Sequence, residues 1–106
     1  DVQGKVAILV DDMIDTAGTI CAAAEVLLQN GAAEVRACAT HGVLSGPACQ
    51  RLNDAPFEEV VITDTIPLGE REGKCDKLHV ASVAGILAKS IRNIHDGSSV
   101  SALFHF

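Results

Sequence analysis

Three carboxylates and a short loop of small and hydroxylated residues follow one another in the segment ILVDDMIDTAGT, residues 8–19. Asp11 and Asp12 come directly after an apolar run, which places them at the carboxyl end of a predicted strand. Ligands of an open parallel sheet bind at that edge, where loops lead into helix N-termini. The loop at residues 15–19 adds a glycine for close backbone approach, two threonine hydroxyls and N–H groups at the start of a helix, whose dipole favours an anion. The pattern predicts a phosphate-binding loop.

Carboxylates beside a phosphate are unfavourable unless they serve another part of the same ligand or are screened by a cation. A sugar phosphate satisfies both halves, because carboxylates accept hydrogen bonds from vicinal hydroxyls while the loop N–H groups take the phosphate. A bound Mg²⁺ would contribute, since it prefers a few carboxylates together with substrate oxygens and water. The plainer alternative is two solvated carboxylates at a strand end followed by an ordinary turn.

No Lys or Arg lies between residues 11 and 19, although the chain has eight of them. Phosphoryl or pyrophosphoryl transfer needs cations to neutralise charge in the transition state. For such chemistry they must therefore come from a metal, a segment outside this sequence or another subunit.

The elements that must position these residues alternate along the chain. Strands are predicted at residues 5–10, 34–40, 58–64 and 78–81, and helices at residues 19–30, 46–54 and 83–95. This order predicts an α/β fold, a parallel sheet flanked by helices with right-handed crossovers. The first strand is a continuous run rich in β-branched residues, which is typical of a strand covered on both faces.

Helix boundaries follow from capping residues. Thr19 is the expected N-cap of the first helix and Gly31 its stop, while Ser82 caps the last helix and Gly97 closes it. The last helix carries apolar residues at helical spacing, which we expect to pack in the core: Val83, Ile86, Leu87, Ile91 and Ile94. Residues 66–77 are charged and contain glycine, so we expect a surface loop there.

Composition excludes several classes of protein. A formal net charge of −6 over 106 residues disfavours nucleic-acid binding, which relies on clustered Lys and Arg. No run reaches the roughly 20 apolar residues that cross a bilayer, so a cytoplasmic protein is expected. The four cysteines form no C-x-x-C pair and the four histidines are scattered, which indicates reduced core cysteines and no metal site built from protein ligands alone.

The segment VAILVDDMIDTAGT, residues 6–19, resembles the ribose-phosphate-binding signature of the type I phosphoribosyltransferase fold. Three further segments restrict the resemblance to one family with this fold: ATHGVLSGPA at 39–48, VVITDTIP at 60–67 and ILAKSIRNIHDGSSVSALF at 86–104. Together they resemble the C-terminal part of the ribose-phosphate pyrophosphokinases, or phosphoribosyl-diphosphate synthetases. On this resemblance, residues 1–106 are a C-terminal phosphoribosyltransferase-like domain, incomplete because upstream strands and the N-terminal domain are missing.

The resemblance implies a transferase of nucleotide biosynthesis that moves the terminal diphosphate of ATP onto the 1-hydroxyl of ribose 5-phosphate, giving phosphoribosyl diphosphate and AMP. Asp11 and Asp12 would be the catalytic pair that holds the ribose hydroxyls. The 5-phosphate would be bound by Asp15, Thr16, Ala17, Gly18 and Thr19. Mg²⁺ would be bound mainly with substrate and upstream residues, and a homo-oligomer is expected.

The same resemblance places a regulatory phosphate or nucleotide site between subunits, to which Ser99, Ser101 and Phe104 would contribute. A polar tail with one anchoring aromatic is the alternative. Because the family's nucleotide-binding residues, pyrophosphate loop and mobile basic loop lie upstream, the isolated chain is expected to bind substrate at best and not to turn it over.

Three rival functions remain. A receiver-type signalling domain also has an acidic pair after its first strand, with Asp64 as the phosphoacceptor, but it needs a lysine at the end of a late strand, whereas Lys89 lies in a predicted helix. A nonenzymatic regulatory subunit of the same family would have no need of an intact DTAGT loop. A phosphoribosyltransferase acting on a base shares the loop and is separated only by the downstream segments.

Overall fold

A computed structural model describes residues 1–104 of the chain. The strands β1 (Val6–Ile14), β2 (Glu34–Gly42), β3 (Phe57–Thr63) and β4 (Leu78–Ala81) form one sheet in the order β1-β2-β3-β4, and every neighbouring pair is parallel. The helices are α1 (Gly18–Gln29), α2 (Ala48–Asp54) and α3 (Ala84–Asp96). Two 3₁₀ turns complete the elements: Gly69–Arg71 lies between β3 and β4, and Ser101–Phe104 follows α3. The predicted parallel α/β fold is confirmed.

β1 is longer than the predicted strand, which ended at Val10. Backbone pairing with β2 continues through Asp11 opposite Ala39 and Met13 opposite His41, so the acidic pair lies inside the strand rather than after it. The apolar residues that follow the pair, Met13 and Ile14, let the strand continue. The carboxyl end of β1 therefore brings the acidic pair and the loop that follows it to one edge of the sheet.

The hydrophobic core lies on one face of the sheet only. Alternate residues of β2 and β3 are buried there against small and aliphatic residues of α1 and α2; the central members of this core are Val35, Ala37, Val60, Ile62, Ala24, Ala48 and Leu52. On the opposite face of β1, Val6, Ile8 and Val10 are 51, 62 and 76% exposed. The prediction of a strand covered on both faces is wrong for these residues, because α1 and α2 share one face.

The molecule is correspondingly flat, measuring 51 × 36 × 18 Å with a radius of gyration of 16.3 Å. A compact domain of this length has a radius of about 13 Å. α3 adds little to the core: four residues of its apolar stripe, Ile86, Leu87, Ile91 and Ile94, are 46 to 70% exposed. The prediction that this stripe packs in the core is therefore wrong, since α3 packs mainly against the turn at Ser101–Phe104.

The loop at residues 66–77 is held against the domain by side chains. Arg71 donates to the carbonyl oxygens of Val43 and Pro67, and Asn53 of α2 bonds the backbone of Lys74 and Asp76. Cys49 of α2 and Cys75 of this loop form a disulfide with their Cα atoms 4.9 Å apart, whereas Cys21 and Cys38 are free. The prediction of reduced cysteines is wrong for the pair, because the docked loop brings together residues 26 positions apart.

Asp64, which follows β3, caps the start of α3. Its carboxylate accepts hydrogen bonds from the Val83 amide at 2.9 Å and the Ser82 hydroxyl at 2.7 Å, and Ser82 Oγ in turn accepts from the Ala84 amide. These bonds, first that of the Val83 amide, hold the pKa of Asp64 below its ordinary value. The N-cap of α3 is Val83, so the predicted Ser82 cap is wrong by one residue, and Asp64 and Ser82 accept the amides of Val83 and Ala84 at the helix start. Helices long and apolar enough to cross a membrane do not occur in residues 1–104.

Candidate functional site

A pocket of about 180 Å³ lies where β1 runs into α1. It is lined by Asp11, Met13, Ile14, Asp15, Thr16, Ala17, Gly18, Thr19 and Ile20. The structure therefore brings together Asp11 and all five residues of the loop at 15–19, which we call the phosphate loop. The lining includes two carboxylates and no Lys or Arg, so the charge pattern expected from sequence is present in the folded chain.

Asp11 and Asp12 are placed differently. Asp11 lines the pocket, and its Oδ1 accepts the backbone N–H of Asp12 at 2.7 Å, which restrains the carboxylate. Both residues are exposed, but Asp12 is not part of the lining. The two predicted sugar-binding carboxylates are neighbours, but only Asp11 faces the same space as the phosphate loop.

The phosphate loop ends in an unusual helix start. The N-cap of α1 is Ala17, in the left-handed conformation with φ 66° and ψ 10°, and no side chain caps the helix. The predicted Thr19 cap is wrong, because Thr19 already lies within the first turn. The first paired amide of α1 is that of Cys21, which donates to Ala17 O at 3.1 Å. The amides of Gly18, Thr19 and Ile20 thus lack an intrahelical acceptor, as the first turn of any helix does.

Backbone strain concentrates beside this pocket. In residues 1–104, Ala17 and Leu44 are the non-glycine residues with positive φ, at 66° and 53°, and both are buried. A non-glycine residue in this conformation costs about 1–2 kcal/mol, and such residues gather at functional sites. Leu44 lies in the segment after β2 and donates its N–H to Ile14 O at 3.0 Å, directly ahead of the phosphate loop.

Arg51 of α2 is a site residue that sequence reasoning missed. Its Nη1 donates to the carbonyl oxygen of Thr16 at 3.1 Å. Thirty-five residues separate the two along the chain, so no local motif could have indicated the contact. A cationic side chain therefore contacts the backbone of the phosphate loop, although the loop itself contains no Lys or Arg.

The position of Arg51 provides a second reason for a glycine at residue 18. A Cβ built on Gly18 would lie 3.1 Å from Arg51 Nη1, and Gly18 is not among the residues with positive φ. The guanidinium therefore leaves little space for a side chain at position 18, whereas the backbone conformation of Gly18 is open to other residues. On the far side of Arg51, burial raises the pKa of the Cys21 thiol although the nearby guanidinium opposes the shift. Cys21 is thus poorly suited to act as a nucleophile.

No group of three or more His, Cys, Asp or Glu side chains in the described range 1–104 could hold a metal ion. The acidic residues of the segment do not converge into a cage. Two carboxylates lining one pocket fit the way Mg²⁺ is usually held, by one or two carboxylates together with substrate oxygens.

The predicted regulatory residues lie at the far end of α3. Ser99 Oγ and Ser101 Oγ are 2.9 Å apart, Ser99 Oγ accepts the amide of Ala102 at 3.3 Å, and Asn93 donates to Ser99 O at 2.9 Å. Phe104 is 49% exposed. The structure brings the two serines together in one turn, and their assignment to a regulatory site stays a prediction.

The receiver interpretation is wrong on two structural grounds. Receiver domains have the strand order 2-1-3-4-5, with the first strand between the second and third, whereas here β2 lies between β1 and β3 and pairs with both. Asp64 is also engaged, because both its oxygens accept hydrogen bonds that begin α3.

Comparison with known proteins agrees with the fold and with the family that the sequence resembles. The family described as phosphoribosyl synthetase-associated domain matches residues 1–105. The chain is 65% identical over 104 residues to a ribose-phosphate pyrophosphokinase of Caldanaerobacter subterraneus subsp. tengcongensis, and 59% identical to one of Clostridium acetobutylicum. These matches cover 98% of this chain and 33 and 32% of the relatives. A crystal structure of phosphoribosylpyrophosphate synthetase from Mycobacterium smegmatis superposes with a TM-score of 0.87 at 47% identity, over 92% of this chain and 33% of that one.

The chain thus spans about a third of the length of the relatives that it matches. The family expected from the sequence is confirmed. The narrower prediction of a C-terminal part is wrong as stated, because matches over a third of each relative support the family and give no support to a C-terminal position within it.

Proposed function

The chain belongs to the phosphoribosyl synthetase-associated domain family, and on that premise we propose that it supplies the ribose 5-phosphate site of a ribose-phosphate pyrophosphokinase. The whole enzyme would transfer the terminal diphosphate of ATP to the 1-hydroxyl of ribose 5-phosphate, giving phosphoribosyl diphosphate and AMP. ATP and ribose 5-phosphate are the partners of this proposal, and the chain forms part of their site rather than all of it.

The observation that supports the proposal most strongly is the two-ended pocket. One end carries the restrained carboxylate of Asp11, and the other is the start of α1, where three amides lack an intrahelical acceptor. A carboxylate accepts hydrogen bonds from sugar hydroxyls, and a helix N-terminus favours a phosphate. A phosphorylated sugar carries both groups on one molecule, which answers the conflict of charge in the segment.

The residues of this chain bind and orient the acceptor. In the proposal, Asp11 and the adjacent Asp12 take ribose hydroxyls while residues 15–19 hold the 5-phosphate, so the sugar is fixed at both ends and its 1-hydroxyl is presented in one orientation. The lining offers no cation for the diphosphate. The remaining two thirds of the enzyme would therefore supply the positive charge.

Mg²⁺ fits the site as a cofactor that arrives with the substrate. Asp11 and Asp15 are the pocket carboxylates that would contact it. When bound, Mg²⁺ would neutralise negative charge on the transferred diphosphate.

The proposal includes a homo-oligomer, since the exposed face of β1 and the exposed stripe of α3 form apolar surface that isolated soluble domains rarely leave uncovered.

An NMR titration of the ¹⁵N-labelled chain tests the proposal. Ribose 5-phosphate, inorganic phosphate and ribose are each added in the presence of Mg²⁺. We expect ribose 5-phosphate to shift the amide signals of residues 11–19, phosphate to shift mainly those of residues 15–20, and ribose alone to act weakly near Asp11. Ribose 5-phosphate shifts confined to residues 99–104 would contradict the assignment and favour a regulatory subunit.

A further inference from the structure

Arg51 touches the phosphate loop without entering the pocket. Its Nη1 donates to Thr16 O at 3.1 Å and fills the space beside Gly18, where a Cβ would lie 3.1 Å away. Arg51 does not line the pocket beside β1; it lines a separate, shallow depression with Cys21, Glu25 and Asp54. Gly18 borders both spaces, so the guanidinium contacts the loop from outside the pocket of the proposed ligand.

The bond to Thr16 O controls one particular peptide. The carbonyl of Thr16 and the N–H of Ala17 belong to the same planar unit, so a donor on the carbonyl fixes the direction of that N–H. A charged donor also polarises the unit and strengthens the N–H as a hydrogen-bond donor. Ala17 has φ 66°, a conformation that persists in a non-glycine residue only when its surroundings impose it. The Arg51 bond restrains the peptide that precedes Ala17, and Ala17 itself is buried in the core.

Arg51 is itself held by its helix. Its backbone N–H donates to Pro47 O at 2.9 Å, and its carbonyl accepts the N–H of Ala55 at 2.9 Å. Two residues before it, Cys49 is joined to Cys75 by the disulfide. The side chain thus extends from an anchored element, and its reach to Thr16 is set by the packing of α2.

We propose that Arg51 is a positioning residue for the 5-phosphate: it fixes the Thr16–Ala17 peptide of the phosphate loop and leaves little space for a side chain at position 18. This inference rests on the proposed function, because it assigns a role to Arg51 in the same site. Arg51 touches no substrate in this assignment and acts through the loop backbone.

Steady-state kinetics of the full-length enzyme test the assignment. Arg51→Met keeps a long, helix-compatible side chain and removes the charge, Arg51→Lys keeps the charge without the planar fork, and Thr19→Val is the reference for damage to the loop itself. Gln50→Ala is the matched control, since Gln50 is exposed on the same helix and bonds only Asp54. We expect Arg51→Met to raise KM for ribose 5-phosphate about tenfold with KM for ATP unchanged. Arg51→Lys should show a smaller increase, and Gln50→Ala none.

A double-mutant cycle with Gly18→Ala adds a readout that a purely structural role does not move. In the wild-type background the added Cβ would crowd the guanidinium at 3.1 Å from Nη1, so Gly18→Ala should raise KM for ribose 5-phosphate several-fold. In the Arg51→Met background the same change should have little further effect, because residues in contact are not additive.

Each outcome decides between the two proposals. An increased KM in Thr19→Val without one in Arg51→Met would overturn the role of Arg51 and leave the proposed function standing. Unchanged KM in Thr19→Val would remove the phosphate loop from substrate binding, and the role of Arg51 with it. Equal loss for both substrates in parallel with a lower melting temperature, together with additive effects in the cycle, would show that Arg51 only stabilises the fold.

Discussion

The backbone N–H of Ser45 donates to the carbonyl oxygen of Asp15 at 2.9 Å. This bond joins the first residue of the phosphate loop to the segment that follows β2, and the amides of Val43 and Leu44 bond Ile14 O just before it. The loop is therefore held on one side by a neighbouring strand connection and on the other by Arg51 of α2. Its shape is a property of three elements and not of the DTAGT residues alone.

Asp11 and Asp12 should differ in how strongly they contribute to binding the sugar. Asp11→Asn in the full-length enzyme is expected to raise KM for ribose 5-phosphate by roughly 10- to 100-fold, since hydrogen bonds to charged groups contribute about 1.5–3 kcal/mol. Asp12→Asn should have a smaller effect, because Asp12 does not line the pocket. Steady-state kinetics with both variants check the order, and a larger effect in Asp12→Asn would reverse the assignment within the pair.

Leu44 offers a test of strain. It is 2% exposed with φ 53°, so Leu44→Ala should lower the free energy of unfolding by roughly 2–4 kcal/mol. Glycine usually destabilises more than alanine, but at positive φ it removes the backbone strain. We expect Leu44→Gly to be no less stable than Leu44→Ala in urea unfolding. A clearly less stable glycine variant would mean that the left-handed conformation costs nothing here.

The disulfide should stabilise the isolated chain. Closing a loop of 26 residues removes unfolded-state entropy equivalent to roughly 3–4 kcal/mol in the chain-entropy estimate. The variant with Cys49→Ser and Cys75→Ser is expected to melt several degrees lower than the oxidised chain. A thiol titration of the native protein is the direct check. It should find two reactive thiols before reduction and four after, whereas four at the outset would contradict the pairing.

Asp64 should make the start of α3 sensitive to acid. Because the folded-state pKa lies below the ordinary carboxyl value, its stabilising contribution is complete above the unfolded pKa and is lost as pH falls through the lower folded-state pKa. Hydrogen exchange of the Val83 amide should show protection that Asp64→Asn removes near neutrality. The difference between the two proteins should shrink towards pH 2, and a constant difference would refute the cap as its cause.

The isolated 106-residue chain should not catalyse the proposed reaction. Its pocket contains no cation, so negative charge on a transferred diphosphate would be unbalanced. Incubation with ATP, ribose 5-phosphate and Mg²⁺ is expected to yield no AMP above background, while the full-length enzyme assayed alongside does. Turnover by the chain at the rate of the full-length enzyme would show that the cations are not needed.

Local patterns predicted the elements and the loop well, because strand β2 and the ends of α1 and α3 depend on nearby residues. Gly31 and Gly97 adopt positive φ at the helix ends, as their positions indicated. Most residues that line the pocket could also be predicted from the sequence, since Asp11 and residues 15–19 are close together in the chain.

Two of the missed features depend on residues distant in sequence. Arg51 reaches Thr16 across two elements, and Cys49 meets Cys75 only after the loop at residues 66–77 docks. The exposed β1 face and α3 stripe were missed for the opposite reason. Apolar patterning shows which surface is suited to burial, but it does not show whether these 106 residues contain what covers it.

The sequential order of the strands leaves the outer edge of β1 unpaired within the described residues. In open α/β sheets the ligand crevice opens where the order of strands reverses, a topological switch point, and the order β1-β2-β3-β4 contains no reversal. A strand that pairs with the outer edge of β1, and whose connection runs opposite to those among β1–β4, would place that reversal directly beside Asp11. The free hydrogen-bonding edge of β1 is thus the position at which the half-built crevice becomes a complete one.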